Sequence, residues 1–194
     1  MKSYMQLRSY LLCLLFVLPF GSALADEDAA KYSSALKTFQ DAGESGSFFG
    51  NSYGYALFPT IGKGGLGVGG AYGKGRVYAG GTWVGDTSMS QLSFGWQAGA
   101  QAYSQIIFFE DKRSFDEFTS GNFEFSADAS AVAITAGASA SAGSTGSAAG
   151  ASAGKRDATT AGAYRKGMAT FTVAKGGLMY EASVGGQKFK VELK

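Results

Sequence analysis

The segment FPTIGKGGLGVGGAYGKGRVY, residues 58–78, holds eight glycines and two lysines in twenty-one positions. Two chemistries use such a composition. A glycine-rich loop can bare its N–H groups to a phosphate, and a glycine-rich strand lets a neighbouring backbone or ring approach closely. Gly62-x-Gly64-x-x-Gly67 and Gly65-x-Gly67-x-x-Gly70 match the dinucleotide spacing. That spacing binds a pyrophosphate only where the glycines open a helix whose N-terminus holds the anion. Here Gly73, Gly75 and the β-favouring Val77-Tyr78 follow instead. The phosphate loop GxxxxGK[ST] also fails. Leu57 stands where its first glycine belongs, and Lys74 is followed by Gly75, not a hydroxyl residue. The glycines are therefore architectural, with no nucleotide and no cofactor expected. Gly65, Gly67 and Gly69 fall on one face of a strand and Leu66, Val68 and Gly70 on the other. Gly73-Lys74-Gly75 reads as a turn into a strand over 76–83.

Little else in the chain could catalyse. There is no histidine, and Cys13 is the single cysteine. That excludes Cys/His zinc sites, Ser-His-Asp triads, Cys-His pairs and disulfides. Glu110, Asp111, Asp116 and Glu117 cluster around Ser114-x-x-Glu117, which reads as a capping box. Carboxylates flanking a solvated helix account for them, so no enzyme and no metal site is expected.

The remaining chemistry is that of binding. Lys63, Lys74 and Arg76 surround the glycine strand, Lys31 and Lys37 lie on a predicted helix, and Trp83 could sit at an interface. Against an anionic lipid surface each cation contributes about 1 kcal/mol. Nucleic acid is a poor partner. Removing Lys2 and Arg8 from the 17 basic residues leaves 15, equal to the 15 acidic ones, whereas duplex binding rests on many unopposed phosphate contacts.

The elements that must position these residues follow from periodicity. Lys2 and Arg8, the apolar run Leu11–Phe20 and Ala23-Leu24-Ala25 have the anatomy of a signal peptide over 1–25, with a lipid anchor at Cys13 as the lesser alternative. Residues 26–194 then form one domain. Asp26–Gln40 reads as a helix carrying Tyr32, Leu36 and Phe39, ended by Gly43, Gly46 and Gly50. Residues 91–102 alternate as one long strand, with Leu92, Phe94, Trp96 and Ala98 on its apolar face. A short helix carries Phe115 and Phe118 and stops at Gly121. Another strand begins at Phe123 and alternates to Ala133. Ala, Ser and Gly dominate a flexible loop at about 136–162, too poor in apolar area to offset chain entropy. The last strands include Phe171 and Val173, then Leu178 to Val184, a turn at Gly185-Gly186, and Phe189 to Leu193 with Lys188, Lys190, Glu192 and Lys194 facing water. The fold class is mainly β (α+β): a curled antiparallel sheet or small barrel with an N-terminal helix and one short internal helix.

Phe58-Pro59, Lys63, Gly69-Gly70, Gly73 and Gly75 resemble, in order, the pattern of the SYLF-domain family. Gly95, Gln97, Gly99, Gln101 and Ile106-Ile107 are similar to its next block, and Lys175-Gly176-Gly177-Leu178 with Gly185 to its closing block. The resemblance covers roughly residues 30–190. Leu66 replaces a usual aromatic, and a Pro-x-Gly-Arg element expected near residue 136 is missing. The resemblance implies binding to membrane phospholipid, phosphoinositides in eukaryotic members, through an amphipathic N-terminal helix and basic residues. For an exported, periplasmic and membrane-associated chain of bacterial type it implies anionic envelope phospholipids and not actin. Lys63, Lys74, Arg76, Lys31, Lys37 and Trp83 are the lipid-binding candidates. The alternative is a structural or partner-binding module of the envelope.

Overall fold

A computed structural model describes residues 20–66, 68–94, 99–127, 129, 131–134, 163–175 and 184–194. The chain enters as helix α1 (Phe20–Asp41), followed by a single turn α2 (Gly43–Gly46) and a 3₁₀ turn (Ser47–Gly50). Among the described residues eight strands form one sheet: β1 (Gly54–Leu66), β2 (Val68–Ala79), β3 (Thr82–Phe94), β4 (Gly99–Phe109), β5 (Asn122–Glu124), β6 (Val132–Ile134), β7 (Met168–Lys175) and β8 (Lys188–Leu193). Helix α3 (Lys112–Thr119) lies between β4 and β5. The strand order is β5-β8-β3-β2-β1-β4-β7-β6. Every pairing is antiparallel except β6 on β7, a parallel pair that the alternation did not predict. The fold is mainly β with an N-terminal helix, as expected.

The glycine segment is strand throughout its described residues. The chain reverses between Leu66 and Val68, which pair with one another, so the single strand face of Gly65, Gly67 and Gly69 is replaced by two arms of a hairpin. The turn expected at Gly73-Lys74-Gly75 is continuous strand. The real turn is at Gly80-Gly81, where both residues have positive φ (54° and 79°) between the paired Ala79 and Thr82. Two consecutive left-handed residues twist a hairpin with the hand of its strands, a conformation that glycine adopts at little cost. Gly73 and Gly75 serve packing instead. A Cβ on Gly73 would lie 2.6 Å from Cγ1 of Ile61, and one on Gly75 2.7 Å from Cδ1 of Phe58.

Phe58-Pro59 marks a bulge. Leu57 pairs with Arg76 but Thr60 with Lys74, so β1 carries one residue more than β2. Pro59 has no N–H to lose there, and its carbonyl accepts from Ser104 Oγ at 2.7 Å. The extra residue shifts the strand's parity, so Phe58 and Ile61, three positions apart, both enter the core on the inner face, while Leu57 enters the one on the outer face.

Those faces carry two cores. On the outer face, Ala35 and Phe39 of α1 and Phe48 pack on Leu57, Ile106, Phe108 and Phe171. On the inner face, Phe115 and Phe118 of α3 join Phe58, Ile61, Val77, Met89, Phe109 and Phe189. The sheet curls around this inner core. Phe58 and Phe189 sit on strands three steps apart, about 14 Å on a flat sheet, yet their ring centroids are 5.7 Å apart. Gln105 of β4 and Gln187, ahead of β8, exchange amide hydrogen bonds of 2.8 and 3.1 Å, and Gln187 also donates to the Tyr103 hydroxyl. Burial of that hydroxyl pushes its pKa up to about 12. Among the described residues the sheet stays open between β5 and β6, so curled sheet and not closed barrel is the architecture.

Four further expectations change. Residues 91–102 are not one strand: β3 ends at Phe94 and β4 starts at Gly99, with β2 and β1 between them in the sheet. The alternation from Phe123 to Ala133 is divided between β5 and β6, on opposite edges, because the chain turns at Ser126–Ala129. The capping box is displaced by one turn. Asp111 is the N-cap and accepts from the Ser114 N–H at 2.8 Å, while Ser114 Oγ accepts from the Asp111 N–H. The Asp111 backbone is extended, as a cap requires, whereas Ser114 is already helical. The glycines after α1 do not end helical structure at once, since α2 and the 3₁₀ turn carry it to Gly50. The β-turn at Gly185-Gly186 is present, closed by Gln187 N–H to the Val184 carbonyl at 3.1 Å. Residues 1–19 of the expected leader, the loop at 136–162, Trp96, Ala98 and the strand from Leu178 lie outside the described residues.

Candidate functional site

The outer face of β1, β2, β3 and β8 beyond α1 forms an open cleft of about 630 Å³. Period two and the ladder register arrange its side chains in cross-strand rows. Thr60, Lys74, Ser88 and Lys190 make one row, and Leu57, Arg76, Asp86 and Glu192 the next. The middle of α1 walls the cleft with Asp28, Lys31 and Tyr32.

Arg76 fastens the helix to the sheet. Its guanidinium carbon lies 4.0 Å from the Tyr32 ring centroid and 4.0 Å from that of Trp83. Burial pushes the Tyr32 hydroxyl up to about 12, against the nearby positive charge of Arg76. Lys194 stands 2.9 Å from the Trp83 ring centroid, so two cations contact that indole. Its N–H donates to the Gly85 carbonyl at 2.9 Å. Lys31 is held by Glu27 at 2.8 Å and Asp28 at 3.8 Å, and the hydrogen bond it donates to Glu27 raises its pKa. Lys175 donates to Thr60 Oγ1 at 2.7 Å, and burial, then the charge of Lys31, lowers its pKa. Lys74 and Lys190 differ from these. Both are exposed, and neither is among the ion pairs within 4 Å of the described residues.

Of the candidates named from sequence, Lys31, Lys74 and Arg76 converge on this cleft, with Trp83 against Arg76. Lys63 does not. It pairs with the buried Ala71 and with Gln101, so strand parity puts it on the inner face, opposite Lys74. Lys37 lies further along α1, paired with Asp41 at 2.8 Å. Sequence reading missed Lys190, Lys175 and Tyr72. The alternation Lys188-Phe189-Lys190-Val191 did mark Lys190 as outward, but only the pairing of β8 with β3 sets it two strands from Lys74.

Curled sheet, covering helix and cleft together define an α+β scaffold that offers one charged, aromatic-lined outer face. The chain belongs to the Ysc84 family, described as Las17-binding protein actin regulator, whose model matches residues 90–192. This is the SYLF domain that the sequence blocks resemble. Membership supports a lipid-binding or actin-regulator-related role in general terms. A curated relative, Beta cell expansion factor A of Aeromonas veronii, is 26% identical over 171 residues, covering 82% of this chain and 54% of that protein. The chain thus spans about half the length of that relative.

Proposed function

We propose that this chain is a non-enzymatic phospholipid-binding protein of the bacterial cell envelope, exported to the periplasm, which meets anionic membrane with the outer face of its sheet. The observation that carries this reading is the pair Lys74 and Lys190. They flank Ser88 in one row, about 10 Å apart, exposed and without an ion-pair partner among the described residues. Two solvated cations on a rigid face can neutralise lipid phosphates without first breaking a salt bridge. Arg76, Lys31 and Lys175 already have protein partners: Arg76 ties α1 to the sheet through Tyr32, Lys31 is paired within α1, and Lys175 is bonded to Thr60. Asp86 and Glu192 lie one row away and limit the attraction to the lysine row.

Vesicle flotation of the full chain tests the proposal. Co-flotation with phosphatidylglycerol vesicles, lost in high salt and absent with phosphatidylcholine, is the expected result. At about 1 kcal/mol per lysine, K74Q/K190Q weakens binding about thirtyfold, whereas K37Q changes little. Absence of flotation at low salt ends this reading. Capture of an envelope protein without lipid would favour the partner-binding module instead.

A further inference from the structure

We propose that the end of the β2–β3 ladder, bearing Val68 and Leu92, is the element that enters the bilayer, and that the rows behind it set its depth; this rests on the phospholipid-binding reading above. Both side chains are exposed, Val68 at 59% and Leu92 at 75%. They share the outer face with the lysine row, since Leu92 pairs with Gly70, two residues from Val68. The floor around them is bare. A Cβ on Gly62 would meet nothing within 4 Å, and one on Gly70 only the Gln91 carbonyl at 3.6 Å.

Charge along the ladder is graded in the sense a membrane requires. Successive same-face rows are about 7 Å apart. The Leu92 row comes first, then Tyr72 with Ser90, Lys188 and its ion-pair partner Glu124, then Lys74 with Lys190, and last Arg76 with the carboxylates Asp86 and Glu192. Tyr72 is 55% exposed. Insertion of the tip by roughly 5–10 Å puts an amphipathic aromatic at the interface and the free lysines beside the phosphates. Asp86 and Glu192 stay furthest from the lipid, and Glu124, nearer the tip, is paired with Lys188 at 3.4 Å. Over residues 32–39, α1 cannot supply the wedge instead: Ala35 and Phe39 are buried against the sheet, and Tyr32 lies under Arg76. Trp83 lies at the far end of the same ladder, opposite Tyr78.

The test places an environment-sensitive fluorophore on Val68→Cys or Leu92→Cys in the full chain carrying Cys13→Ser, with Glu117→Cys on α3 as the control. With phosphatidylglycerol vesicles the tip probes should shift to the blue and be quenched by lipids carrying a shallow acyl-chain quencher, while the control stays in water. V68S/L92S should partition about tenfold more weakly, the effect of withdrawing about one leucine of apolar surface. Flotation with tip probes still in water overturns the insertion proposal and leaves phospholipid binding standing. No flotation overturns both. A blue shift without vesicles that grows with protein concentration assigns the patch to a second copy of the chain and overturns the proposal.

Discussion

Gly75→Ala separates an architectural glycine from a ligand-cradling one. Gly75 is buried on β2, where the added methyl carbon would lie 2.7 and 2.8 Å from two carbons of the Phe58 ring and 2.8 Å from the Leu57 carbonyl oxygen. Phe58 is fully buried against Phe189, and the Leu57 carbonyl belongs to the sheet next to the bulge, so neither retreats freely. Overpacking of this kind costs about 1–3 kcal/mol. Lowered entropy of the unfolded chain returns roughly 0.4–1 kcal/mol. The net loss of about 1–2 kcal/mol corresponds to a Tm lower by about 2–8 °C for a domain of this size. Gly62→Ala, on the same hairpin, meets no atom within 4 Å and has no positive φ. It should be neutral or gain up to about 1 kcal/mol. Urea unfolding monitored by tryptophan fluorescence, with calorimetry alongside, measures both. Equal losses at the two positions, or a Gly75→Ala protein as stable as the parent, would refute the assignment of Gly75 to core packing.

Three other outcomes follow from named contacts. Gln187→Leu leaves the buried Gln105 amide unpaired, and Gln105→Leu leaves the Gln187 side-chain oxygen without its donor; each should cost about 1–3 kcal/mol, while the double variant costs clearly less than the sum, as a double-mutant cycle would show. Arg76→Met removes both ring contacts and should cost about 1–2 kcal/mol, with hydrogen exchange quickening in α1 before the sheet; Arg76→Lys restores only part because its ammonium cannot stack as a plane. Asp111 has its pKa lowered by the Ser114 N–H. Its cap therefore stabilises α3 above the ordinary carboxylate pKa and loses that contribution as pH falls through the lowered value. Hydrogen exchange in α3 should rise in acid for the parent but much less for Asp111→Asn, which caps without titrating.

Much of the fold was legible locally because side-chain alternation is a property of a few consecutive residues. Phe189 and Val191 against Lys188 and Lys190 fixed the faces of β8, and Phe115 with Phe118 fixed the packed side of α3. The failed phosphate motifs were also local, since no helix-forming run follows Gly67 or Gly70. Turn placement was less legible. Gly73, Gly75, Gly80 and Gly81 are chemically identical, and what separates them is that Phe58 and Ile61 need the space above the first two. Lys63 was misplaced for the same reason, because the reversal between Leu66 and Val68 and the extra residue at Pro59 decide which face it takes.

By itself the sequence determined which residues alternate, which carry charge, and that histidine and cysteine chemistry is unavailable to the domain. Only the tertiary structure decided which rows those residues form. Lys74 and Lys190 are 116 positions apart in the chain, and nothing near either one specifies the other. They become neighbours because the inner core of Phe58, Phe118 and Phe189 draws β8 onto β3. Burial of that core is a long-range, non-directional force, summed over the whole sheet, and it acts on pairings that no short stretch of chain encodes.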